Sequence, residues 1–275
     1  MSGKLYVVGT PIGNLSDFSE RAKEVLNSVD FIAAEDTRVT TKLLNKFEIK
    51  KPLISYYEHN RRERGEIIVK RILDGETCAV VTDAGMPCIS DPGQDLVYLC
   101  HENNIPVESV PGPTAFATAL AISGMESGRF TFEGFLSTNK PSRKEHLDEL
   151  KNETRTMIFY EAPHKLKATL KDMHKNFGGD RKIAIVKELT KIHENVMRTT
   201  LQGACDFFDN DDPRGEYVLI LAGVEKTKEK QPVTLEQAVL LAKELVEKGI
   251  SVNEAAKTVA SDTGIKKSLI YKELL

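Results

Sequence analysis

Four stretches carry the residue types and spacings that could do chemistry: Thr10-Pro11-Ile12-Gly13-Asn14, Glu35-Asp36-Thr37-Arg38, Asp83-Ala84-Gly85-Met86-Pro87 and Pro111-Gly112-Pro113-Thr114-Ala115. Each follows a short apolar run of β character. Glycines let backbone approach a flat ligand, and prolines freeze a loop so that little ordering entropy is lost on binding. For any one loop, ordinary turn chemistry is the simpler reading. Four of them on one sheet edge favour a ligand cleft, because α/β sheets bind ligands outside the carboxyl ends of their strands. The first loop is not G-x-G-x-x-G: Thr10 and Pro11 stand where a dinucleotide fingerprint needs its second glycine. The sheet is therefore nucleotide-competent without the usual phosphate cradle.

The elements that must hold these loops are legible in the patterning. Strands are predicted over 4–8, 31–35, 53–57, 78–82 and 107–110, and helices over 20–28, 40–47, 61–74, 95–103 and 114–123. Such alternation means βαβ units and a mostly parallel sheet. After Gly124 strands outnumber helices. Strands are predicted over 129–136, 156–160, 182–188, 194–201 and 217–222, with helices over 143–150 and 165–177 and a short acidic helix before the last strand. A mixed sheet in a second α/β domain follows. A charged linker is expected over 225–232. Beyond it Thr234 with Gln237 and Ser251 with Glu254 make capping boxes, and Gly264 stops the second helix. Ala238, Leu241, Ala242 and Leu245 form one apolar stripe, and Ile265, Leu269 and Ile270 are expected to face inward. Two short helices about a Gly turn match a helix-turn-helix, and equally a three-helix cap. The expected domains are 1–124, 125–225 and 232–275.

Composition narrows the class. The 275 residues are 40% apolar and 29% charged, with a formal net charge of -3, which argues against a protein that coats nucleic acid by bulk charge. Cys78, Cys88, Cys100 and Cys205 form no C-x-x-C pair and read as small hydrophobes in a reducing compartment. His59, His164 and His193 are too scattered for a metal site, so none is expected. No signal segment or membrane-length apolar run is present, and a cytoplasmic protein is expected.

Thr10-Pro11-Ile12-Gly13-Asn14-Leu15, Ala34-Glu35-Asp36-Thr37-Arg38, Asp83-Ala84-Gly85-Met86-Pro87 and Pro111-Gly112-Pro113 together resemble the tetrapyrrole methylase superfamily. Within it they resemble the branch of cytidine 2′-O-methyltransferases that act on small-subunit (16S) ribosomal RNA. Phe132-Glu133-Gly134-Phe135-Leu136, Phe159-Tyr160-Glu161, Lys187-Glu188-Leu189-Thr190-Lys191 and Arg214-Gly215-Glu216 extend the resemblance over essentially the whole chain. Porphyrin-modifying relatives carry a Gly-rich first loop that is missing here, and Met86 stands where the pattern has threonine or serine.

The resemblance implies two α/β domains, a homodimer, and S-adenosylmethionine folded into the cleft between the domains. The cofactor then lies against Pro11, Asp83, Ala84, Gly85, Met86, Pro87, Ile89, Thr114 and Ala115, with Tyr160, Glu161, Leu189 and Glu216 closing over it. Asp83 is equally an Asx-turn cap. A ribose hydroxyl is a poor nucleophile, so a base is expected. Asp36, and Glu188 beside Lys187, are the candidates, with a structural ion pair as the alternative for each. RNA of the small ribosomal subunit would meet Arg38, Arg61, Arg62, Arg64, Arg143, Lys144 and Arg214, and the C-terminal face of Lys266, Lys267, Tyr271 and Lys272. The run from Arg61 to Arg64 also reads as a solvated helix face. Two rivals remain: a methylase of a tetrapyrrole or a protein side chain, and a ligand-sensing DNA-binding regulator.

Overall fold

A computed structural model describes residues 3–225 and 233–275. The linker expected over 225–232 lies, apart from Glu225, outside the described residues. The chain divides into two compact units, Met1–Val224 and Glu225–Leu275.

The first unit opens with β1 (Leu5–Val8), α1 (Glu20–Ser28), β2 (Phe31–Ala34), α2 (Thr37–Lys46), β3 (Leu53–Ser55), α3 (Arg61–Leu73), β4 (Cys78–Val81), α4 (Gln94–Glu102), β5 (Val107–Val110) and α5 (Ala115–Ser123). The five strands are parallel in the order β3-β2-β4-β1-β5. Every residue of β2 and β4 is buried, as central strands covered on both faces must be. Phe31 and Val80 pack with Ile68, Ile72 and Leu96 of α3 and α4. Ile32, Ala79 and Val81 pack with Leu26 and Leu44 of α1 and α2 on the opposite face.

Next come β6 (Phe130–Phe135), α6 (Lys140–Glu149), β7 (Thr156–Glu161), α7 (Pro163–Phe177), β8 (Lys182–Lys187), β9 (Asn195–Thr200), α8 (Leu201–Asp209) and β10 (Tyr217–Leu221). This second sheet has the order β6-β7-β10-β8-β9, with β6 and β7 parallel and the other pairs antiparallel. One face packs on α6, α7 and α8 through Phe159, Leu170, Met173 and Phe208. The other takes α5: Ala119 and Leu120 join Ile12 against Ile158, Val186 and Val218. That helix and the first loop thus couple the two sheets. All four cysteines are free thiols.

The second unit holds α9 (Leu235–Glu247), α10 (Val252–Thr263) and α11 (Lys267–Leu274). The Thr234–Gln237 capping box is formed, and Gly264 ends α10 at φ +72° in the left-handed region. The core is Ala238, Ala242, Ala256, Val259 and Ile270. Leu241 and Leu269, both expected inside, are 45% and 46% exposed. The seam is filled by alanines, Val259 and Ile270 instead. Among the described residues no helix is long and apolar enough to cross a membrane.

Candidate active site

The loops at the carboxyl edge of the parallel sheet are stitched together by backbone. Thr10 N donates to Gly85 O at 2.9 Å, Gly85 N to Thr10 O at 3.1 Å, and Thr10 Oγ1 to Thr82 O at 3.1 Å. Gly9 must be glycine, because a Cβ there would come 2.6 Å from Gly112 Cα and 2.7 Å from Met86 Sδ. The loops after β1, β4 and β5 therefore pack backbone on backbone. After Gly85 the chain curls through Cys88 at φ +70°, and a Cβ on Gly93 would reach Cys88 Sγ at 2.6 Å. This curl turns Ile89, Ser90 and Asp91 back toward the sheet edge.

Between this edge and the second sheet lies a cavity of about 390 Å³, within the range of small-molecule sites. Ile12, Met86, Ala115, Leu189 and Val218 give it apolar walls. Tyr160 reaches across from β7, and its hydroxyl accepts a hydrogen bond from Phe116 N at 3.0 Å, at the start of α5. Burial pushes the Tyr160 hydroxyl up to about 12. A bulge between Phe132 and Gly134 shifts the register of β6 against β7. Phe132 and Phe135, three apart, thereby fall on one face instead of opposite ones. The rings of Phe116, Phe132, Tyr160 and Phe135 form a continuous aromatic wall, and Phe135, 60% exposed, stands at the cavity mouth.

Carboxylates supply the polar side. Thr82 Oγ1 donates to Glu35 Oε2 at 2.6 Å. Burial, then the Glu35 charge, raises the carboxyl of Asp83. Burial and Glu35 push Asp91 up to about 6, against a hydrogen bond from Thr82. Among the described residues no three His, Cys, Asp or Glu side chains are grouped to hold a metal ion.

Residues 4–205 match the family model of the tetrapyrrole (corrin/porphyrin) methylases. The chain is 45% identical over 271 residues to ribosomal RNA small subunit methyltransferase I of Synechocystis, covering 98% of this chain and 96% of the relative. The chain belongs to the tetrapyrrole methylase family, in its ribosomal RNA small subunit methyltransferase I branch. It is also 46% identical to the enzyme of that name from Thermotoga maritima, over 223 residues, which are 81% of this chain and 100% of the relative. Cobalt precorrin-4 methyltransferase shares the fold at a TM-score of 0.60 and 19% identity, over 80% of this chain and 94% of that one. Uroporphyrin-III C-methyltransferase from Thermus thermophilus, complexed with S-adenyl homocysteine, superposes at a TM-score of 0.56 and 16% identity, over 80% of this chain and 97% of that one.

The chain is thus a methyltransferase, and the structure distributes the expected site residues of this tetrapyrrole methylase unevenly. Asp83, Ala84, Gly85, Met86, Ile89, Thr114, Ala115, Tyr160, Glu161, Leu189 and Glu216 all line the cavity. Pro11 lines the neighbouring groove with Gly13 and Lys42, and Pro87 is buried behind the loop. Glu161 is engaged from within, accepting from Thr169 Oγ1 and from Ala162 N.

Neither expected base is among the cavity residues. Asp36 caps α2, accepting from Arg38 N at 2.8 Å and from the Arg38 guanidinium at 2.6 Å, which holds its carboxyl at about 2. Glu188 sits at φ +52°, and its Oε1 accepts from Lys191 Nζ at 3.1 Å and Glu216 N at 3.0 Å. Burial opposes the charge on Glu188, yet these two donors hold its carboxyl below the ordinary range. Lys187 lies over the Tyr217 ring.

Of the cations, Arg143 is 13% exposed and is spent on Asp172 and Thr169, bracing α6 to α7. Lys144 pairs with Asp148, Arg214 with Asp212, and Arg61 with Glu58 and Asp95. Arg62, Lys266, Lys267 and Lys272 are exposed, while Tyr271 packs partly against the three-helix core. Sequence reasoning missed Asp91 and Phe135 as cavity residues. The Ser90-Asp91-Pro92-Gly93 turn, only a few residues past the third loop, was the available signal for Asp91.

Proposed function

We propose that the protein transfers a methyl group from S-adenosylmethionine to the ribose 2′-hydroxyl of a cytidine in the 16S RNA of the small ribosomal subunit. The observation that carries the reading is the chemistry of the cavity: apolar walls for a flat ring, carboxylates for a net-positive ligand, and no phosphate cradle. The residues present fit this donor, whose sulfonium and ammonium outweigh its one carboxylate and which carries no phosphate. Asp83, Met86, Ala115, Tyr160 and Leu189 would hold it, with Phe135 at the opening. When bound, it supplies a methyl group already activated toward displacement.

The chain's own residues then have three tasks. The stitched loops fix the donor pocket before binding, so little ordering entropy is lost. The aromatic wall and α5 exclude water from the reacting side. Orientation of the incoming hydroxyl can supply roughly 7–11 kcal/mol of the barrier, and a positioned base adds about 10²- to 10⁴-fold. The RNA substrate is supported by the names of the relatives at 45% and 46% identity. Exposed Arg38, Arg62 and Arg214, and Lys266, Lys267 and Lys272 of the helical unit, are its phosphate contacts. The reading includes a homodimer working in the cytoplasm.

The test is calorimetric titration of the protein with S-adenosylmethionine, paired with tritium transfer from that donor to small ribosomal subunits from cells lacking the enzyme. Binding and label in RNA are expected. Tight binding of NAD or ATP in place of the methyl donor, or a protein that shifts palindromic duplex DNA and leaves RNA unlabelled, contradicts the proposal.

A further inference from the structure

We infer that the polar groove beside the donor cavity seats the target nucleoside, and that Asp91, in the wall common to both, accepts the 2′-hydroxyl proton. The inference rests on the methyl-transfer reading above and adds where the acceptor enters and which residue serves it.

The groove, about 490 Å³, shares Glu35, Ile89, Ser90 and Asp91 with the donor cavity. In-line displacement requires the acceptor oxygen to approach the methyl from the side away from sulfur, so the acceptor must come from a space continuous with the donor's. Two grooves satisfy this. The one on the Pro11 side carries Lys42, Lys46, Lys191 and exposed Leu15 and Val39. Its two carboxylates are engaged: Asp83 accepts from Asp36 N, and Glu216 from Lys191 Nζ at 3.0 Å. Glu216 is thereby ion-paired, and Asp83, already holding a backbone N–H, shares the groove with three lysines.

The polar groove differs on each count. Tyr57, 40% exposed, offers a ring on which a base can stack, with His59 edge-on to it at 6.0 Å. Base stacking on such a ring is worth about 1–3 kcal/mol. Arg61 is held by Glu58 and Asp95 at 3.1 and 3.0 Å, so the groove is net acidic. An acidic groove rejects phosphates but suits the N4 amine of cytosine, which donates to carboxylates. It therefore takes a nucleoside turned out of the strand while the backbone stays outside.

Asp91 stands where the two spaces meet, on the loop curled by Cys88 and Gly93. Among the described residues no arginine or lysine pairs with it. Facing it are Glu35 beyond β2, Thr82 and Asp83 at the end of β4, Cys88 on its own loop, and Tyr160 of β7. Burial and the Glu35 charge leave its carboxyl at about 6, near the pH at which a general base is most effective. In the step, the 2′-oxygen forms its bond to the methyl carbon as the sulfur–methyl bond breaks. The electron pair of that bond returns to sulfur, now a neutral thioether, and the hydroxyl proton passes to the Asp91 carboxylate.

Asp91→Asn and Tyr57→Ala in the full chain separate the claims. Asp91→Asn should still bind S-adenosylmethionine, weakened by no more than about tenfold, and at saturating donor lose about 10²- to 10⁴-fold in single-turnover methyl transfer. Wild-type transfer should fall about tenfold per pH unit below about pH 6, and the residual rate of Asp91→Asn should show no such break. Without donor or RNA, Asp91→Asn should melt higher than wild type at pH 8, and the gain should vanish near pH 4, because it removes a carboxylate whose charge is costly only in the folded state. Tyr57→Ala should weaken binding of a cytidine-bearing small-subunit RNA fragment to protein loaded with S-adenosylhomocysteine by about fivefold or more.

Asp91→Asn transfer within about tenfold of an active wild type overturns the base assignment. RNA affinity lost in a Lys42→Ala, Lys46→Ala pair but kept in Tyr57→Ala moves the acceptor to the other groove and overturns the seat. A wild type that neither binds the donor nor methylates RNA fails at the earlier reading instead.

Discussion

Phe31, Tyr56 and Phe159 are among the largest wholly buried side chains of the α/β unit. The three C-terminal helices close around Ala238, Ala242, Ala256, Val259 and Ile270, and leave Leu240, Leu241 and Leu269 at the surface. Burying a ring removes far more apolar area from water than burying a methyl. The first unit thus has the core to hold strained loops such as Cys88 and Glu188 in the left-handed region. The second is small enough that caps and helix propensity carry much of its order. The Thermotoga relative matches along its entire length within 223 residues, nearly the length of the α/β unit. Strain and the candidate site go where the core is large, and the small unit is the one proposed to serve RNA affinity.

The largest expected effect tests this contrast directly. Phe159→Ala should cost about 3–5 kcal/mol and abolish donor binding through global destabilisation. Ile270→Ala should melt the helical unit while leaving donor affinity intact. Thermal unfolding with and without S-adenosylmethionine reads both.

Next is Gly9→Ala. Its Cβ would press on Gly112 and Met86, and overpacking at such a site costs about 1–3 kcal/mol. It should weaken donor binding by prying apart the loops after β1, β4 and β5, seen by calorimetry.

Removing residues 226–275 should leave donor affinity unchanged and reduce methylation of limiting RNA by about tenfold, with a shallower salt dependence, because phosphate contacts are lost. Full RNA methylation by the shortened protein would make the helices a cap and dissolve the contrast.

The smallest effect concerns Asp36. Its folded carboxyl titrates at about 2, below the ordinary value, because Arg38 clamps it. It therefore adds stability above about pH 4, which is lost as pH falls toward 2. Asp36→Asn should be slightly less stable than wild type at pH 7 and equal to it at pH 2. Its methyl transfer should stay close to wild type, since Arg38 and the start of α2 occupy the carboxylate and the proposed base is Asp91.

The fold was legible wherever apolar period decided it: all ten strands lie within a residue or two of the predicted ranges. Helix starts were less so. α2 begins at Thr37 rather than 40, and α6 at Lys140 rather than 143, because Asp36 and Asn139 cap them. Asp36, a candidate base or a structural ion pair in the sequence, caps α2 and pairs with Arg38.

The same competition explains the site. Loop glycines and prolines announce a cleft, because backbone geometry is local. Whether a carboxylate is free depends on partners far away in sequence, such as the Glu216 backbone N–H that donates to Glu188. Arg143, on a charged helix, turned inward to Thr169 for the same reason. Asp91 could not be told from a turn residue until Glu35 and Thr82 were brought beside it.

The most direct test is to let the purified protein act on small ribosomal subunits from cells lacking it, and then map which nucleotide resists alkaline cleavage. The account predicts one newly resistant position, at a cytidine, dependent on S-adenosylmethionine. Label in RNA with every linkage still cleavable would put the methyl on a base and contradict it.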